Sequence, residues 1–220
     1  MKGKLLVVFN SKHGYVKRYV DIIGNALGCD AVPLDKLPPE LLGGYDKILY
    51  ISSLRNEAIM GMDKFSDYLG GVYRKLVVCG VGVTPFREYM PARIKESSVS
   101  VAYEKFIPVF YAQGGMDFNE LSRTEKFSVA FRVRQIKMQS VINDDDTYFI
   151  NATVTPVDEV KQENIQPLID FLDDKRVDEK LYSPAEITDP EEQKKFFDEL
   201  EKAAELPEDK KRALKKKLKK

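Results

Sequence analysis

The chain has 220 residues, 43% hydrophobic and 32% charged, which excludes a wholly disordered polymer. No apolar run approaches the ~20 residues needed to cross a bilayer. The apolar stretch after Met1-Lys2-Gly3-Lys4 is too short for a signal-peptide core, so a cytoplasmic location is expected. The formal net charge of zero hides segregation: residues 1–140 carry 20 basic and 14 acidic side chains, 141–209 carry 7 and 21, and 210–220 carry eight basic and no acidic ones.

In chain order, residues 4–9 form an unalternating apolar run that suits a strand buried on both faces of a parallel sheet. Tyr15, Val16, Tyr19, Val20, Ile23 and Leu27 then recur at helical spacing, and Gly28 supplies a stop. A weak strand at 31–34, a helical turn at 38–42 and a strong strand at 47–51 follow, the last ending at Ser52-Ser53-Leu54-Arg55. A helix over 61–69 leads to a second fully buried strand at 75–82, closed by the loop Val83-Thr84-Pro85. Residues 88–98 read as helical and 106–111 as a fifth strand running into Gln113-Gly114-Gly115-Met116-Asp117. One amphipathic helix is expected over 119–139, then a polar break at 143–146, a further strand at 148–154 and a closing helix at 164–172.

Strands alternating with helices at this spacing predict an α/β fold with a doubly wound, three-layer, five-stranded parallel sheet. The expected organisation is a compact domain over 1–176 and a charged helical extension over 177–220. That extension carries helix-start patterns at Ser183-Pro184 and Asp189-Pro190, a sticky face of Phe196, Phe197, Leu200, Ala203 and Leu206, and a basic tail.

Ligands of open α/β sheets bind outside the carboxyl ends of the strands, where strand order reverses. The loop from Asn10 to Val16 is the informative one there. A buried strand enters a helix through Ser11 and Gly14, which aims backbone N–H groups at one spot suited to a phosphate, with Lys12 or His13 adding positive charge. The dinucleotide pattern GxGxxG and the nucleotide pattern GxxxxGK[ST] are both absent. An ordinary βα turn is the plain alternative.

Phe9-Asn10-Ser11-Lys12-His13-Gly14-Tyr15-Val16 resembles the FMN-phosphate signature S-K-x-G-x-T of flavodoxin-domain proteins. The stretch Gly80-Val81-Gly82-Val83-Thr84-Pro85, the stretch Phe110-Tyr111-Ala112-Gln113-Gly114-Gly115 with the basic helix after it, and Asn164-Ile165-Gln166-Pro167-Leu168-Ile169 are similar to the flavodoxin-domain subfamily that includes protoporphyrinogen dehydrogenase. The resemblance spans residues 4 to 172. It implies strand order 2-1-3-4-5, an insertion near the last strand, and FMN at the loop tips. By position, Ser11, Lys12, His13, Gly14, Tyr15 and Val16 would wrap the phosphate. Ser52, Ser53, Leu54 and Arg55 would line one side of the flavin, and Val83, Thr84 and Pro85 the other, with Gly114 and Gly115 at its edge. The chain departs from the signature at Val16, where the family has Thr. It also lacks Trp, and 52–55 lacks the usual stacking aromatic, for which Phe86 or Tyr89 would have to substitute.

The implied function is an FMN-binding redox protein, either an electron carrier or an oxidoreductase of the protoporphyrinogen-dehydrogenase type. Its partner would be a redox protein or a small-molecule donor or acceptor. The alternative is a module of the same fold that has lost its flavin, which Val16 and the lone Ser11 favour. A phospho-receiver is set aside because the third and fifth strands end in Ile51-Ser52-Ser53 and Tyr111-Ala112-Gln113, without the required Asp and Lys. No acid–base residue is assigned, since the flavin carries the chemistry in such sites. The single histidine cannot build a triad or zinc site, Asp144-Asp145-Asp146 lacks the spacing of a calcium loop, and Cys29 and Cys79 read as free thiols. Five basic residues among large apolar ones in 119–139 fit an anionic membrane surface or an acidic partner as well as a plain solvated helix, and nucleic acid is not an expected partner.

Overall fold

A computed structural model describes residues 3–100 and 102–175. The expected extension over 177–220, with its helix starts, sticky face and basic tail, lies outside the described residues. The elements in chain order are β1 (Leu5–Asn10), α1 (Tyr15–Leu27), β2 (Asp30–Pro33), β3 (Lys47–Arg55), β4 (Ala58–Ile59), α2 (Met62–Phe65), α3 (Leu69–Val72), β5 (Leu76–Gly82), α4 (Met90–Ser98), β6 (Val109–Gln113), β7 (Gly115–Met116), α5 (Arg123–Lys137), α6 (Asp144–Ala152), β8 (Val157–Asp158) and α7 (Gln166–Leu172), with short 3-10 turns between them.

Five parallel strands pair in the order β2-β1-β3-β5-β6, and β4 folds back antiparallel on β3. With that hairpin set aside, this is the expected order 2-1-3-4-5. The two-residue side-chain period of a strand divides the core in two. Leu6, Val8, Ile48, Tyr50, Val78 and Tyr111 point to one face, where Phe65 of α2 and Ile94 of α4 cover them. Val7, Leu49, Ile51, Val77, Cys79 and Phe110 point to the other, under α1 and α7. Apolar runs were needed because both faces are covered. Each such Val, Leu or Ile contributes roughly 1.5–3 kcal/mol by leaving water.

Five of these secondary-structure expectations are corrected. Residues 52–55 are strand, not loop: β3 runs through Arg55 and reverses at Asn56 (φ 49°) and Glu57 (φ 66°) to pair Leu54 with Ile59 and Arg55 with Ala58. Positive φ at both central residues is the geometry of a tight hairpin turn. The helix expected over 61–69 is a broken helical run reaching Lys75, in which Gly70 and Gly71 weaken propagation. The fifth strand starts three residues and ends two residues later than read, at Val109–Gln113.

The strand expected at 148–154 is the helix α6. Its start is the supposed polar break: the Asn143 side chain accepts from the Asp146 N–H at 2.8 Å. The first turn holds Asp144, Asp145 and Asp146, where negative charge meets the positive end of the helix dipole. The helix expected from 119 to 139 starts at Arg123, set there by Ser122 and Glu125 in a reciprocal cap.

Candidate functional site

The carboxyl ends of β1, β3, β5 and β6 open into a groove between the hairpin 53–56, residues 81–83 and residues 115–117. Helices α5 and α6 roof it. Two chambers of about 150 Å³ each meet at Leu54, Asn56, Gly82, Val83, Arg132 and Phe149. Joined, they reach only about the lower end of the ~300–1,000 Å³ common for ligand pockets, and neither alone does. The Arg132 guanidinium carbon sits 4.3 Å from the centre of the Phe149 ring, between them.

At one end lies the β1–α1 loop. Gly14 adopts a left-handed conformation (φ 85°), which lets the chain turn directly into α1. Ser11 Oγ accepts from the Lys17 N–H at 3.1 Å. The turn and cap hydrogen bonds leave the N–H groups of residues 12–16 without a chain acceptor among the described residues. The Val16 side chain is buried in the core beneath the loop, 1% exposed, so its position offers only backbone to a ligand. Lys17 pairs with Asp21 one turn along the helix, and Arg18 reaches across to Asp158 of β8, so neither side chain is turned into the loop.

The loop cations are engaged from above. Glu125 Oε1 lies 2.9 Å from Lys12 Nζ and 3.0 Å from His13 Nε2. Its other oxygen accepts from the Ser122 N–H at 2.9 Å and from the Ser122 hydroxyl. The Glu125 side chain is 11% exposed. Burial alone would disfavour its charge, but the hydrogen bonds from the Ser122 hydroxyl, Lys12, His13 and the Ser122 N–H outweigh that and hold the carboxyl far below the usual carboxylate range.

Ser53, Leu54 and Arg55 line the first chamber. Ser52 lies beneath it, fully buried, donating from Oγ to the Asn10 carbonyl at 3.3 Å. Val83 borders both chambers and Thr84 the second. The Thr84 and Val83 carbonyls accept from Tyr111 Oη and Gln113 Nε2, which fixes that wall, whereas Pro85 lines neither chamber. Gly115 is on the wall of the first chamber, but the chain itself explains the glycine: an added Cβ would lie 2.2 Å from the Val157 carbonyl oxygen and 2.5 Å from Tyr15 Cε1. Gly114 is likewise crowded by Val81, at 2.6 Å, and lines neither chamber.

Tyr89 and Phe86, read as possible stacking aromatics, are 47% and 40% exposed. Tyr89 Oη donates to Asp145 at 2.6 Å and Arg87 Nε donates to the same carboxylate at 2.9 Å, tying α6 to the loop after β5. Burial opposes the charge of Asp145, but these two partners hold its carboxyl below the usual range. Asp144–Asp146 therefore cap and tether a helix, and no cluster suited to a metal ion occurs among the described residues. Cys29 is half-buried and Cys79 buried, both as free thiols.

The groove residues not anticipated from sequence are those of the roof, above all Glu125, Arg132 and Phe149. The one available signal was the cap pattern Ser122-Arg123-Thr124-Glu125, which locates a helix start but not what lies under it.

No family model and no curated protein matches the chain. Among solved structures it is similar to a flavodoxin from the domain Archaea, at 19% identity and TM-score 0.37 over 50% of this chain and 82% of that one. It is also similar to a flavodoxin, WrbA-like protein from Agrobacterium tumefaciens, at 15% identity and TM-score 0.36 over 57% and 89%. A third similarity is to the Flv1 flavodiiron core from Synechocystis, at 8% identity and TM-score 0.37 over 51% and 30%. The strand order and its covering layers, rather than these loose superpositions, carry the assignment: the fold is α/β, doubly wound, in the flavodoxin-like order.

Proposed function

We propose that this chain binds FMN in the roofed groove and acts as a flavodoxin-like redox protein, either an electron carrier or an oxidoreductase of the protoporphyrinogen-dehydrogenase type. The observation that supports this is the β1–α1 loop at the β1/β3 switch point, with five amide groups lacking chain acceptors and two cations that already hold a carboxylate. That donor set suits a phosphate monoester. Residues 12–16 would hold the phosphate, while Ser53, Leu54, Arg55 and Val83 would flank the ring. When bound, the flavin supplies the electron-accepting and electron-donating chemistry. Arg55, exposed at the rim, and Arg132 in the roof would set the charge around it.

A donor or acceptor, whether a protein or a small molecule, is part of the proposal. A contact with an acidic partner or a membrane through 119–139 is supported by Phe127, Phe131 and Met138, which are 75%, 54% and 75% exposed on a helix carrying Arg123, Lys126, Arg132, Arg134 and Lys137. The second reading, a flavin-free module, is favoured by Glu125, because its carboxylate occupies the cations that a phosphate would use.

Titration of FMN fluorescence and the visible spectrum after desalting decide between the two. Quenching and retained flavin bands, both lost in Ser11→Asp, support the flavin. A colourless protein that leaves FMN fluorescence unchanged supports the module.

A further inference from the structure

Helix α5 is held to the body by few contacts. Of its fifteen residues only Ile136 is buried. Beyond the half-buried Val129 and Val133, its polar anchors are the Glu125 contacts with Lys12 and His13 and the placement of Arg132 over Phe149. An element with little buried apolar area and mostly polar anchors sits at the low end of local stability.

Glu125 divides its work between its two oxygens. One completes the cap of α5 with Ser122, and the other grips the β1–α1 loop. The helix can therefore keep its cap while the loop contact breaks. The loop contact, in turn, is made by the cations beside the free amides, so an anion settling on those amides meets the Glu125 charge directly.

We infer that Glu125 is an internal competing ligand of the β1–α1 loop, so that binding of a phosphate monoester and closure of α5 over the groove are alternative states. This inference rests on the flavin reading for the identity of the ligand, but not for the existence of the latch. With the latch closed, Arg132 splits the groove into two chambers too small for a flavin. Displacing Glu125 frees α5, joins the chambers and admits the rest of the molecule. Phosphate recognition thereby gates the ring site.

The test compares wild type with Glu125→Gln, which retains the cap because Gln serves at that position but removes the charge. FMN and riboflavin are titrated into both, and hydrogen exchange of residues 123–137 is followed. The expected result is FMN bound at least tenfold more tightly by Glu125→Gln, riboflavin also bound more tightly because the ring site no longer has to be opened, and faster exchange of α5 in wild type once FMN, but not riboflavin, is added. Equal FMN affinities, or α5 better protected in wild type with FMN, would overturn the latch. If neither flavin binds either protein, the flavin reading fails and inorganic phosphate decides the latch: it must speed α5 exchange in wild type, and no change refutes the idea. Lys12→Met, which opens the latch from the loop side, must speed α5 exchange without any ligand, and normal exchange there also refutes it.

Discussion

Arg132 lies over the face of Phe149, guanidinium carbon to ring centre 4.3 Å, and this pair marks where the groove divides. Phe149 is nearly buried on α6, so α6 supplies the platform and α5 the cation. A partly desolvated pair of this kind is worth about 0.5–2 kcal/mol. A double-mutant cycle of Arg132→Ala and Phe149→Leu, read by urea unfolding, should return a coupling energy of about 1 kcal/mol. Strict additivity would show that the contact does not anchor the roof.

The Glu125 carboxyl titrates far below the ordinary range, which fixes the sign of its acid response. A group whose folded value is depressed adds stability above its unfolded value, near 4.3 for glutamate, and loses it as pH falls through the folded value. Wild type should therefore be more stable than Glu125→Gln at pH 6–7, on the order of 1–2 kcal/mol for a charged hydrogen-bonded group. The gap should narrow steadily below about pH 4. Thermal unfolding of both proteins from pH 7 to pH 3 measures it, and a gap that widens in acid would contradict the assignment.

Much of the fold was legible because its strands are locally unambiguous. The runs ending at Asn10 and Gly82 are apolar at every buried position and stop at polar or glycine residues, so no distant contact was needed to find them. Where the reading failed, the deciding contact was a capping bond or a distant pair. Asn143 turns three aspartates from a break into a helix start. The hairpin after Arg55 was hidden because Asn56-Glu57 lacks the glycine that usually marks such a turn. The groove floor followed from strand order, but its roof depends on His13 meeting Glu125 across 112 positions, which no local pattern encodes.

Two glycines, one facing open space and one crowded, should respond oppositely to the same added methyl. Gly24 lies inside α1 with nothing within 4 Å of its would-be Cβ, so Gly24→Ala should stabilise by about 0.5–1 kcal/mol through lower unfolded-chain entropy. Gly115→Ala drives a methyl onto the Val157 carbonyl and the Tyr15 ring, where backbone must move, and should destabilise by about 1–3 kcal/mol. Denaturant midpoints of the two variants check both signs. A neutral Gly115→Ala would mean that the β7–β8 pair yields without cost.

Glu57 holds a positive φ of 66° that a glutamate adopts only under constraint. The turn of β3 into β4 supplies that constraint, and Arg93 NH1 lies 3.0 Å from Glu57 Oε1 beside it. The ion pair is exposed and worth at most ~1 kcal/mol, so the backbone preference should dominate any substitution. A β-branched side chain is the least tolerant of this region and glycine the most. Glu57→Val and Glu57→Gly both lose the Arg93 pair, so their difference isolates the backbone: Glu57→Gly should be the more stable by about 1–2 kcal/mol. At this chain length that corresponds to roughly 2–8 °C in melting temperature. Because Asn56 and Glu57 border the second chamber, the strained variant should also weaken any ligand held there. Calorimetry of the two variants, with and without FMN, reads both effects; equal melting temperatures would show that the hairpin relaxes its turn freely.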